Sequence, residues 1–95
     1  MERGGYVYIT NRRNGTLYVG VTARLIERVQ EHRESIYPES FTTKYGCHIL
    51  VYYNTYNRIE DAIAEEKRIK GGSRSMKLKI IERLNPAWKD LWDEI

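Results

Sequence analysis

The stretch GGYVYITNRRNGTLYVG, residues 4–20, constrains the fold more than any other part of the chain. Gly5 to Thr10 alternates, with Tyr6 and Tyr8 on one face and Val7 and Ile9 on the other, which is the period of a half-buried strand. Thr16 to Val21 is a second run of the same kind, and Asn14-Gly15 between them is a strong hairpin signal. A plain two-residue loop at Asn14-Gly15 would set Tyr8 opposite Val21 and Tyr18 opposite Asn11, sending the two tyrosines to opposite faces. If both serve one site, an odd-length loop or a bulge near Arg12–Thr16 must shift the register. Gly20 ends the second run where a backbone and a substrate are expected to approach closely.

The rest of the chain supplies helices to cover this hairpin. Thr22 suits the N-cap of ARLIERVQEHRES, in which Leu25, Ile26 and Val29 form an apolar stripe while Arg24, Arg28 and His32 share another face. A polar loop around YPESFTTKYG follows, and HILVYYNTY reads as a third strand whose near-continuous apolarity places it centrally in the sheet. Asn57 and Glu60 resemble a capping box for IEDAIAEEKRIK, and Gly71-Gly72 stops that helix. Ser75 opens MKLKIIERL, and Pro86 suits the first turn of a last helix over AWKDLWDEI. The order ββαβααα predicts an α+β fold, a three-stranded, mostly antiparallel sheet flanked by helices. At 95 residues the chain is expected to be a single domain, 1–95.

Composition narrows the function classes. The net charge of +3 favours a polyanionic partner without demanding one. Cys47 is the lone cysteine, which rules out an intrachain disulfide or a multi-cysteine metal site and fits a reducing compartment. No apolar run approaches membrane-spanning length, so no membrane role is expected and the chain reads as cytoplasmic.

Three features do not suit a bland domain. On the helix over 59–70, Ile59, Ala62, Ile63 and Ile69 mark the buried stripe, and Glu66 falls inside it. A carboxylate there is either paired, with Lys70 one turn on as its partner, or faces a cleft and holds a metal. Arg28 and His32 share a face that suits a phosphodiester, or is simply a solvated basic face. Eight tyrosines stand against one phenylalanine, so hydroxyls are being kept on a wet sheet face or in a site. Trp88 and Trp92 read as core or as an exposed anchor.

Taken together, these residues resemble the GIY-YIG nuclease superfamily, most closely its small single-domain bacterial members. YVY at Tyr6–Tyr8 and YVG at Tyr18–Gly20 are similar to its signature, and RVQEH, FTTKYG, LVYY, DAIAEEKRIKG and LNPAWKDL extend the likeness to about Leu91. The superfamily includes the nuclease domain of a nucleotide-excision-repair subunit, homing endonucleases, restriction enzymes and a resolvase subunit. The resemblance implies catalytic roles for Tyr8, Tyr18, Arg28, His32 and Glu66. It gives Glu66 the metal, Mg²⁺ or Mn²⁺, and gives supporting roles to Gly20, Tyr45 and Asn85. Asn85 before Pro86 is equally well read as a plain N-cap. The chain departs from the pattern in lacking a glycine at the first motif, in Val21 where some relatives carry lysine, and in Gly72 where close relatives carry tryptophan.

The resemblance implies a divalent-metal-dependent endonuclease that hydrolyses phosphodiester bonds in DNA, in DNA repair or recombination. Tyr8 or Tyr18 would act as general base or relay, which needs a pKa well below the usual value of about 10. A chain this short has no room for the DNA-binding domains that larger relatives add, so non-specific or structure-selective cutting, or a protein partner that supplies DNA binding, is expected. The alternative is a non-catalytic nucleic-acid-binding domain, with Arg28 and His32 on phosphate and tyrosines stacked on bases. A partner-binding protein anchored by its tryptophans is a third reading.

Overall fold

The computed structural model describes residues 4–11, 15–33 and 49–95, except the His32 side chain. Strand β1 (Gly5–Asn11) pairs antiparallel with both β2 (Leu17–Thr22) and β3 (Ile49–Tyr56), giving the sheet order β2-β1-β3. Every pairing is therefore antiparallel, and β1 is the central strand. The expectation that β3 is central fails for a clear reason. Apolarity on both sides of a strand reports that both sheet faces are covered, not that both edges are paired.

Each face has its own helices. Val7, Ile9, Val19, Val51 and Tyr52 pack against Ala62 and Ile69 of α2 (Ile59–Lys70) and Ile81 of α3 (Arg74–Leu84). On the other face Tyr8 and Leu50 pack against Leu25 and Val29 of α1 (Leu25–Arg33). Leu91 and Trp92 of a short 3₁₀ turn (Leu91–Glu94) close that face. A bulge in the β1–β3 ladder lets Val51 and Tyr52 point to the same side, which is why HILVYYNTY does not alternate. Trp88 joins the first cluster and Trp92 the second, so the core reading of both tryptophans holds.

Helix ends follow local chemistry, at positions slightly different from those expected. Arg58, not Asn57, is the N-cap of α2 and makes no side-chain cap, so the expected capping box does not form. Ser73, not Ser75, caps α3, its hydroxyl accepting from the Met76 N–H at 3.1 Å. Thr22 belongs to β2, and its hydroxyl accepts from the Arg24 N–H at 3.0 Å just ahead of α1. Ile26 and Ile63, both assigned to buried stripes, stand 53% and 37% exposed. The stripe of α2 is instead Ile59, Ala62, Glu66 and Ile69, the 3-4-3 spacing of a narrow buried seam. The last segment forms a 3₁₀ turn rather than an α-helix. Asp90 caps it through the Trp92 N–H at 3.1 Å and receives Arg33 of α1 at 2.8 Å. No described helix is long and apolar enough to cross a membrane.

Candidate active site

The hairpin register decides the site. Tyr8 lies opposite Gly20 and Tyr18 opposite Thr10, with Asn11↔Leu17 as the last pair. An odd number of residues, 12–16, thus joins the strands, and both tyrosines fall on the α1 face. Their ring centroids are 6.2 Å apart and inclined by 45°. The Tyr8 ring runs across β2 directly over Gly20. A β-carbon added at Gly20 would lie 2.5 Å from the Tyr8 hydroxyl and 2.8 Å from its Cε1. Tyr8 therefore requires the glycine from inside the molecule.

Tyr8 is 1% exposed, and its hydroxyl interacts with Arg28 of α1 and with Tyr18. Burial, reinforced by Tyr18, pushes the Tyr8 pKa well above the ordinary phenol value, and the opposing influence of Arg28 is smaller. Tyr8 thus moves in the direction opposite to that of a general base. Burial pulls the Arg28 guanidinium down, but Tyr8 and Glu31 outweigh it and its pKa is raised. Glu31 pairs with Arg28 at 3.3 Å, an i, i+3 contact whose signal was already present in the sequence.

Glu66 arrives from the opposite face. Its side chain is 15% exposed within the α2 stripe, and Lys70 Nζ lies 3.8 Å from its Oε2. The same ammonium sits 5.7 Å from the Tyr18 ring centroid. Tyr18 is on the edge strand β2, so Lys70, at the end of α2, links Glu66 to the tyrosine ring. Lys70 over Tyr18 had no sequence signal, because the contact depends on how α2 crosses the sheet. Glu65, the neighbouring carboxylate, points elsewhere: it accepts from Arg68 Nη2 at 2.9 Å, and this bond chiefly holds its pKa below the usual carboxylate value.

Among the described residues no three of His, Cys, Asp and Glu gather into a metal-binding group. A single carboxylate that already accommodates a positive charge fits a hard cation such as Mg²⁺, which keeps most of its waters and takes further oxygens from phosphate.

The Asn85 side chain bonds to backbone. It is 5% exposed at the end of α3, with its amide nitrogen donating to the carbonyls of Val51 at 3.0 Å and Lys89 at 2.9 Å. Its oxygen accepts from the Lys89 N–H at 3.0 Å. As the C-cap of α3, it also differs from the expected N-cap. His32 lies on α1 one turn beyond Arg28, but its side chain, and all of Tyr45, are outside the described residues.

Three phenols share the upward direction. Burial first raises Tyr8, Tyr52 and Tyr56, with Tyr56 pushed up to about 12. An unfolded tyrosine ionises near 10, so the stability these groups contribute is intact below that pH and is lost as the pH climbs through their folded values. Urea midpoints measured between pH 8 and 12 should therefore hold steady and then fall, with a gentler fall in Tyr8→Phe. An unchanged alkaline slope in that variant would contradict a buried Tyr8 hydroxyl.

A three-stranded antiparallel sheet with helices on both faces and a Tyr–Arg–Tyr cluster on one of them defines an α+β domain. The family model of the GIY-YIG catalytic domain matches residues 4–79, and the chain belongs to this nuclease family. It is 37% identical over 82 residues to the UPF0213 protein OB0043 of Oceanobacillus iheyensis, covering 86% of this chain and 94% of that one. It is 33% identical over 81 residues to a UPF0213 protein of Syntrophus aciditrophicus, covering 85% and 92%. The solution NMR structure of the UPF0213 protein BH0048 from Bacillus halodurans has a TM-score of 0.59 at 24% identity, covers 92% of each chain, and shares the fold.

Proposed function

We propose that the protein is a divalent-metal-dependent endonuclease that hydrolyses phosphodiester bonds in DNA, with a role in DNA repair or recombination. The observation that carries this reading is the series of contacts that runs from Arg28 through Tyr8 and Tyr18 to Lys70 and Glu66. Glu66 would hold Mg²⁺ or Mn²⁺, which when bound polarises the scissile phosphate and stabilises the leaving oxygen. Arg28 donates to the phosphoryl oxygens, where negative charge grows in the transition state. Tyr8 anchors Arg28 and orients the Tyr18 hydroxyl. Tyr18, the less buried of the two, takes the role of hydrogen-bonding the attacking water. His32 shares the proton transfer, and Tyr45 supports the site. Cutting is structure-selective or depends on a protein partner that supplies DNA binding, and the cytoplasm is its setting.

The test is cleavage of labelled single-stranded, duplex and branched DNA with Mg²⁺ or Mn²⁺ and with EDTA. Glu66→Gln and Arg28→Ala should each lower the rate by about two to three orders of magnitude, the cost of removing one charge-stabilising group. Their circular dichroism should match the parent protein. Binding without metal-dependent cutting, unaffected by Glu66→Gln, would favour a non-catalytic nucleic-acid-binding domain instead.

A further inference from the structure

Tyr8 and Tyr18 account for only part of the tyrosine excess. On the same sheet face, Tyr6 and Tyr53 are diagonal neighbours, because Tyr6 pairs with Thr55 and Tyr8 with Tyr53. Both are half-buried and form the floor of a groove of about 530 Å³ walled by Arg24 and Ile26 of the α1 entrance. A second groove of about 350 Å³ lies beside Arg28, and Arg24 and Glu27 line both. The two grooves thus adjoin along a shared wall, a path from the candidate catalytic arginine to the aromatic floor.

The lining has a consistent chemistry. Ile26 is 53% exposed on the wall, apolar surface that the core does not use. Arg24 stands at the junction and pairs with no carboxylate among the described residues. Glu27, which also lines the path, offers an acceptor suited to the exocyclic amino group of a base and not to a phosphate. Aromatic floor, apolar wall, one cation and one acceptor match a nucleotide better than an apolar peptide.

We infer that this groove is a subsite for the nucleotide next to the scissile phosphate, with its base unpaired and lying against Tyr6, Tyr53 and Ile26 and its phosphate on Arg24. A base inside a duplex has both faces covered by its neighbours, so only an unpaired one can lie on a tyrosine. The substrate class this selects is single-stranded nucleic acid, or an unpaired junction nucleotide. The inference rests on the nuclease reading, and its test is made by binding so that the two fail separately.

The measurement is fluorescence anisotropy of a labelled single-stranded DNA 12-mer and its duplex, in EDTA, with a second 12-mer carrying 2-aminopurine to report stacking. The single strand should bind more tightly than the duplex, and 2-aminopurine emission should be quenched on binding. Tyr53→Leu should weaken single-strand binding about tenfold, as expected for loss of one stacked base, and relieve the quenching. Arg24→Gln should lower the salt dependence by about one phosphate contact. Ile26→Ser and Arg24→Gln alter exposed residues and keep the test decisive if Tyr53→Leu fails to fold. Duplex binding equal to single-strand binding, or affinities within twofold of the parent in all three variants, overturns the subsite. If the parent protein still cuts DNA in that event, the nuclease reading survives alone. Absence of both binding and metal-dependent cutting overturns both.

Discussion

Gly20→Ala should lower stability by about 1–3 kcal/mol, the usual cost of forcing extra volume into a packed site. The added methyl would fall within the Tyr8 ring contact, and β2 cannot retreat without breaking its ladder with β1. Tyr8 would have to leave, taking with it the hydrogen bonds to Arg28 and Tyr18. Cleavage should fall with it. Tyr8→Leu in the same chain should recover part of the lost stability, because its side chain does not span the glycine, and the two substitutions should couple in a double-mutant cycle. Urea denaturation of the four proteins measures this. A Gly20→Ala midpoint equal to the parent's would show that the ring does not rest on the glycine.

Asn85→Ala should be more damaging to the fold, by about 2–4 kcal/mol, since it leaves buried backbone groups without partners. The Val51 carbonyl and both polar groups of Lys89 depend on this one amide. The same variant separates two roles for the residue. With its amide spent on backbone, Asn85 has little left for a substrate, so cleavage per folded molecule should stay within about threefold of the parent, far from the loss expected for Arg28→Ala. Normal stability with abolished cleavage would place Asn85 in the catalytic machinery after all.

The readable part of the site was the part encoded by local periodicity. Glu66 stood out because a carboxylate in an apolar helical stripe conflicts with its neighbours, and it is indeed covered, with Lys70 one turn away. Tyr8 and Tyr18 were tied to a parity condition, and the observed ladder meets it. Ile26 and Ile63 were misplaced because a helical wheel gives the direction of a stripe but not its width. Ser73 rather than Ser75 caps α3, since two serines so close compete as N-caps and the turn after α2 selects between them.

By itself the sequence determined the three strands, the three α-helices, the direction in which each apolar stripe faces, and the family to which the chain belongs. These follow from short-range rules: a period of two for strands, 3.6 for helices, and motif residues close together in the chain. Tertiary structure alone decided that β1 is central, that the Tyr8 ring covers Gly20, and that Lys70, paired with Glu66, lies over the Tyr18 ring. Each of these joins residues far apart in sequence. Their distances depend on how helices pack across a sheet, and no local pattern carries that information.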